Sequence, residues 1–126
     1  MSCSIQPWLS VRHSKVALAF YKTAFHAIDV YILETGEDAV IAKLSIGGAE
    51  FWISDESPGF DNYSPETLQG GTVRMILVTN EPEIFFERAI NAGAREVFPV
   101  AIEHGWKLGR LVDPFGHHWE IGHPVG

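Results

Sequence analysis

The segment DPFGHHWEIG, residues 113–122, places two histidines and a glutamate directly after a tight turn. Histidine and carboxylate side chains are the ligands that divalent metals use in catalytic sites. A histidine beside a carboxylate is also a general acid or base near neutral pH. Which chemistry the segment supports depends on where His117, His118 and Glu120 point, and therefore on the strands that carry them.

Composition limits the classes of function. The chain has 126 residues, 46% hydrophobic and 20% charged, which predicts one soluble globular domain. The net charge is −7 and the basic residues are scattered, so we expect no nucleic-acid partner. Cys3 is the only cysteine, which excludes an intramolecular disulfide and favours a reducing compartment. We find no signal-peptide pattern and no apolar run near the roughly 18 residues that span a bilayer. These features predict a cytoplasmic protein with no membrane partner.

The same order of elements is predicted twice. Residues 6–55 contain a strand (QPWLSVR), a helix (SKVALAFYKTAF) and three strands (AIDVYIL, AVIAKLSI, AEFWIS). Residues 72–123 repeat it with GTVRMILV, NEPEIFFERAINAG, REVFPVAIE, KLGRLV and HHWEIG. Ser14 is expected to cap the first helix, and Asn80 with Glu83 to form a capping box on the second. Residues 56–71, rich in Pro, Gly and Ser, are predicted to be a linker that could cover a site. We expect a single domain over 1–126, of class α+β, built from two βαβββ units.

This order, together with DPFGHHWEI, FYKTAF and IGGAEFWISDE, resembles the vicinal oxygen chelate superfamily. That group includes glyoxalase I, extradiol dioxygenases, and fosfomycin- and bleomycin-resistance proteins, and the likeness is greatest to a PhnB-like or bleomycin-resistance-like subgroup. The resemblance implies curved mixed sheets around a cup, with the helices outside. It also implies a homodimer in which the cups are completed across two chains. A shared fold does not determine the chemistry.

Alternation along the strands predicts which side chains face the cup. In HHWEIG, the apolar Trp119 and Ile121 should face the helices, so His118 and Glu120 point into the cup and His117 does not. The same rule, applied to the other strands, predicts a cup-facing set of Gln6, Trp8, Ser10, Glu50, Trp52, Val73, Met75, Leu77, Arg110, Val112, His118 and Glu120.

The resemblance implies one metal ligand from each of four cup strands. The corresponding positions here are Gln6, Trp52, Val73 and Glu120. Tryptophan and valine offer no lone pair, so only Gln6 and Glu120 could bind an ion, and catalytic sites usually have at least three protein ligands. We therefore expect no metal and no other cofactor.

The remaining cup lining predicts a small-molecule pocket. Trp8 and Trp52 would bind a flat ring or a cation, while Glu120 would pair with an amine and Arg110 with a carboxylate. The predicted ligand-binding set is Gln6, Trp8, Trp52, Met75, Arg110 and Glu120.

Three functions remain open from the sequence. The first is a metal-free binding protein of the bleomycin-resistance type, which sequesters an aromatic or cationic compound and so confers antibiotic resistance. The alternative is a lyase, isomerase or glyoxalase-like enzyme of the superfamily, in which Glu120 and His118 transfer protons. The third is an interaction domain with a filled cup, where Trp8 and Trp52 are core residues and Arg110 only pairs with Glu120.

Overall fold

A computed structural model describes all residues, 1–126, and contains eight strands, three α-helices and one short 3-10 helix. The first unit consists of β1 (Trp8–Val11), α1 (Ser14–Phe25), β2 (Ile28–Gly36), β3 (Ala39–Ile46) and β4 (Ala49–Asp55). The linker contains the 3-10 helix Pro58–Phe60 and α2 (Pro65–Leu68). The second unit consists of β5 (Arg74–Val78), α3 (Pro82–Asn91), β6 (Arg95–Glu103), β7 (Trp106–Val112) and β8 (His118–Pro124). The predicted α+β class with two βαβββ units is confirmed.

Each unit contributes one four-stranded mixed sheet. The strand orders are β1-β4-β3-β2 and β5-β8-β7-β6. In each sheet the first strand of the unit pairs in parallel with the last, and the other pairs are antiparallel. This order brings β1 beside β4, and β5 beside β8, so that residues far apart in the sequence share one surface.

The core lies where the helices cover one face of each sheet. Both α1 and α3 pack on the sheet of their own unit and also contact each other, and one continuous cluster of buried apolar residues joins the two units. Alternate strand residues such as Phe51, Ile53, Trp119 and Ile121 belong to this cluster. The opposite face of each sheet, called the free face below, is not covered by either helix. None of the helices is long and apolar enough to cross a membrane.

Two predicted helix caps are wrong. Helix α1 includes Ser14, whose hydroxyl accepts a hydrogen bond from the backbone N–H of Val40 at 2.9 Å instead of capping its own helix. The N–H of Ser14 is bound by the Asp55 carboxylate at 2.8 Å. Before α3 the cap residue is Glu81, not Asn80, and it makes no side-chain cap bond. Tertiary contacts thus take the place of local capping at α1.

The linker packs beside β1. Ser64 caps α2 by accepting a hydrogen bond from Thr67 N–H, and Pro65 lies so close to Gly116 that a Cβ there would be 2.8 Å from the proline Cβ. Gly116 has φ 92°, so this turn needs glycine for both conformation and space.

A buried carboxylate connects the two units. Asp113 accepts hydrogen bonds from the Tyr21 hydroxyl on α1 and from Trp119 Nε1 on β8. Its other oxygen accepts the backbone N–H groups of Phe115 and His117, at 3.0 and 2.9 Å. Burial raises the pKa of Tyr21 well above its usual value, and the nearby Asp113 charge raises it further, so the phenol stays a donor.

Replacing Tyr21 with phenylalanine tests this connection. The Tyr21→Phe variant should be destabilised by about 1–3 kcal/mol, because a buried carboxylate loses a hydrogen-bond donor that water cannot replace. Urea unfolding followed by circular dichroism measures the change. Tyr31→Phe is the matched control, since Tyr31 is 47% exposed, and it should change stability by less than about 0.5 kcal/mol. Equal stability of the two variants would contradict a structural role for the Tyr21 hydroxyl.

Candidate functional site

The free face of the first sheet carries a stacked pair of tryptophans, Trp8 and Trp52. These residues are direct neighbours in the parallel β1–β4 register, and their rings lie 5.2 Å apart at an interplanar angle of 10°. Trp8 remains 51% exposed. Both indole N–H groups are satisfied within the protein, from Trp8 to Ser54 Oγ at 2.8 Å and from Trp52 to Gln6 Oε1 at 2.9 Å. The predicted facing of Gln6, Trp8 and Trp52 is therefore confirmed, and the exposed ring surface is apolar.

Charged and aromatic neighbours surround the tryptophan pair. Lys43 Nζ lies 5.6 Å from the Trp52 ring centroid and 3.2 Å from Glu50. Glu50 also accepts a hydrogen bond from Gln6 at 3.3 Å, while Tyr31 meets Trp52 edge-on at 6.0 Å. Both polar groups beside the pair, Gln6 and Glu50, are thus already engaged with protein partners.

The free face of the second sheet contains a cavity of about 620 Å³. Its lining is formed by Ile76, Phe98, Pro99, Ala101, Glu103, His104, Trp106, Leu108 and Glu120. The strand register brings these residues together. Ile76 on β5 is the neighbour of Glu120 on β8. Across β7, Arg110 is the neighbour of both Glu120 and Phe98. Every lining residue belongs to the second unit, so no residue of the first unit closes the cavity.

The predicted phase of β5 is wrong. Met75 and Leu77, expected in the cup, are 9% and 7% exposed in the core, whereas Ile76 is 55% exposed on the free face. Val73, also expected to face inward, precedes the strand and is 69% exposed. The strand RMILV is apolar on both faces, so hydrophobicity could not choose between them. The charge of Arg74 was the missed signal, since a guanidinium does not face a helix-covered core.

Arg110, His118 and Glu120 lie on the same free face, as predicted for β7 and β8. Arg110 and Glu120 are register neighbours, yet they form no ion pair with each other. Instead, Arg110 Nη2 lies 2.9 Å from His118 Nδ1, and Arg74 Nε lies 3.3 Å from Glu120 Oε2. Sequence reasoning missed Arg74 as the partner of Glu120, together with the cavity residues Phe98, Trp106 and Leu108.

The four positions that the resemblance implies for metal ligands do not fit a metal here. No group of three or more His, Cys, Asp or Glu side chains is placed to bind an ion. On β4 the position is Trp52, and the adjacent candidate Glu50 is bound by Lys43 and Gln6. On β5 the free-face residues are Arg74, Ile76 and Val78, none of which is a metal ligand, and the Arg74 guanidinium pairs with the Glu120 carboxylate.

The structure separates the predicted site residues into two groups. Gln6, Trp8 and Trp52 come together on the first sheet, and Arg110, His118 and Glu120 come together on the second. Within one chain the tryptophan pair contacts only residues of its own unit, and the cavity is lined only by the other unit. The two groups are therefore separate within one chain.

Comparison with known proteins agrees with this fold. An uncharacterized protein of Mycobacterium bovis is 34% identical over 129 residues, which covers 97% of this chain and 84% of the relative. The crystal structure of an Arabidopsis thaliana gene product is 29% identical with a TM-score of 0.69, covering 96% of this chain and 97% of that one. A glyoxalase/bleomycin resistance protein/dioxygenase superfamily member from Sphaerobacter thermophilus is 15% identical with a TM-score of 0.73, covering 98% of each chain. No protein-family profile matches the chain.

The fold defines the class of protein: the chain has the glyoxalase/bleomycin-resistance fold. Within that class, it is a member of the same family as the mycobacterial relative. The PhnB-like subgroup remains a prediction.

The charges on the second free face affect His118. Desolvation lowers the pKa of His118, and the guanidinium groups of Arg110, Arg95 and Arg74 lower it further. A histidine whose pKa is lowered by folding is protonated more readily in the unfolded chain, so its contribution to stability falls as pH drops below the usual value near 6.5.

Removing Arg110 should raise the pKa of His118, because one source of repulsion for the imidazolium is lost. An NMR titration of the His118 ring protons in Arg110→Met measures this change. Arg88→Met is the matched control, since Arg88 lies over the Phe85 ring on α3, and it should leave the titration unchanged. A pKa that stays constant or falls in Arg110→Met would show that the arginine does not act on this ring.

Proposed function

We propose that this protein binds and sequesters a flat aromatic small molecule without a metal ion, as a binding protein of the bleomycin-resistance type. The observation that carries the proposal is the stacked, half-exposed tryptophan pair, whose indole N–H groups are satisfied internally. The outer ring face is left to stack on a ligand ring, an arrangement worth about 0.5–1.5 kcal/mol beyond the buried area. A role in antibiotic resistance would follow where the sequestered compound is a drug.

The geometry supports binding more strongly than acid–base catalysis. Glu120, the base in the enzymatic alternative, has its carboxylate within 3.3 Å of Arg74. The Arg74 guanidinium therefore engages a carboxylate oxygen that a catalytic base would need for the proton it accepts. His118 is similarly held beside Arg110.

A second copy of the chain is the proposed occupant of the two free faces. All nine residues of β2 are exposed, including Tyr31 and Leu33 on the free face at 47% each. On the second sheet Ile76 is 55% exposed and Phe98 is 39% exposed. Contiguous apolar surface of this kind usually marks an interface. A homodimer that sets the first sheet of one chain against the second sheet of its partner would place the tryptophan pair over the cavity.

Ligand binding is tested with the intrinsic fluorescence of the full chain. Titration with flat aromatic compounds should quench the emission, and Trp8→Ala should weaken the binding by about three- to tenfold, through loss of one stacking surface. Phe60→Ala is the matched control, because Phe60 is 84% exposed on the linker and outside the cavity lining. The proposal fails if no compound of a broad aromatic panel binds, or if both variants bind as the wild type does.

The dimer is tested by sedimentation velocity. Leu33→Lys should shift the protein from dimer to monomer, since it puts a charge into the apolar free face of β2. Val16→Lys is the control, because Val16 is 59% exposed on α1, away from the free face, and it should leave the dimer intact. A wild-type protein that sediments as a monomer at micromolar concentration would contradict the shared site.

A further inference from the structure

The free face of the second sheet carries an arginine cluster, which we define as Arg74, Arg95 and Arg110 with His118. We propose that this cluster binds the anionic group, a carboxylate or a phosphate, of the ligand whose flat ring lies on the tryptophan pair. The inference rests on the proposed function and assigns the ligand to the class of small aromatic anions. It replaces the cationic ligand that Trp8, Trp52 and Glu120 were predicted to accept.

The strand register collects the cluster in one place. His118 on β8 lies between Arg74 on β5 and Val112 on β7 in the register. Arg95 on β6 is the neighbour of Val112 on its other side. Arg110 lies one free-face position further along β7 and reaches back to His118 at 2.9 Å. Four strands thus bring three guanidinium groups together, in a protein whose net charge is −7.

The positive charge of the cluster is only partly compensated within the chain. Glu120 pairs with Arg74, while Arg95 and Arg110 have no carboxylate partner. Arg110 Nε is buried and makes no hydrogen bond. A buried donor without a partner is costly, and a bound carboxylate or phosphate oxygen would remove that cost.

The adjoining cavity supplies room for the body of such a ligand. Phe98 and Ile76 border the cluster, because they are the register neighbours of Arg110 and Glu120. Trp106 and Leu108 continue the apolar wall away from it. The acidic Glu103 lies opposite Trp106, at the far end of β6 from Arg95. A ligand with an anionic end and an apolar body therefore fits in one direction only.

Four compounds with one ring system test the sign of the ligand charge. Naphthylacetate, naphthyl phosphate, neutral naphthylacetamide and cationic naphthylmethylamine are titrated into the full chain by calorimetry. We expect one of the anions to bind roughly tenfold or more tightly than the amide, and the two anions distinguish carboxylate from phosphate recognition. Equal binding of anions and amide, or tightest binding of the amine, would overturn the anion site while leaving aromatic binding intact.

Variants localise the effect. Arg110→Met and the exposed Arg95→Met should each reduce the preference for the anion over the amide, whereas Arg88→Met, with the same change in net charge, should not. Arg95→Met keeps the test valid if Arg110→Met fails to fold. An unchanged preference in both cluster variants would exclude this location.

A second measurement separates this inference from the proposed function. Inorganic phosphate and acetate are added to the full chain while NMR follows the Arg110 Nε–H group and the His118 ring. Saturable shifts at these groups support the anion site even if no naphthyl compound binds, a result that would defeat the aromatic-binding proposal alone. If phosphate and acetate leave both groups unmoved, the anion site is overturned.

Discussion

The buried carboxylate of Asp113 is the constraint on which the rest of the structure depends. It binds the Tyr21 hydroxyl from the first unit, the Trp119 indole from β8 and two backbone N–H groups of its own turn. A buried charge without these donors would be strongly unfavourable, so the turn and α1 must take this arrangement together. Because Trp119 faces the helix-covered core, its neighbours His118 and Glu120 must lie on the free face of the second sheet. This interaction thus helps to join the two units and determines which side chains of β8 lie on the second free face.

The contact between α1 and α3 has a functional consequence. Both helices bury their apolar sides in one shared core, so each sheet is left with a surface that nothing in the same chain covers. The stacked tryptophan pair lies on one surface, and the arginine cluster lies on the other. The proposed ligand contacts both surfaces, and the proposed homodimer is the arrangement that sets them against each other. Binding and assembly are then coupled, because a ligand held by both surfaces stabilises the dimer.

The facing of a strand could be predicted from the sequence where its two faces differ clearly in polarity. In β8 one face is apolar and the other polar, and β4 alternates Phe51 and Ile53 with Glu50 and Ser54, so the predicted facing was correct. In β5 only Arg74 distinguishes the faces, and reading the apolar residues alone placed Met75 on the wrong side. The helix cap at Ser14 could not be predicted, because it depends on Val40 and Asp55 from distant strands. Pairing of Arg110 with His118 instead of Glu120 depends on rotamers, which the register does not determine.

The corrected phase of β5 also changes which charged group lies beside Glu120. The resemblance places a divalent cation beside Glu120, and here the Arg74 guanidinium lies beside that carboxylate. A fixed guanidinium supplies positive charge at the same surface. Unlike a metal ion, it has no open coordination position and cannot activate a bound water molecule by lowering its pKa. What remains is electrostatic attraction for an anion, strengthened by Arg95 and Arg110 on the neighbouring strands. The proposed anion site follows from this charge, because holding a negatively charged group requires positive charge at the surface and no coordination position.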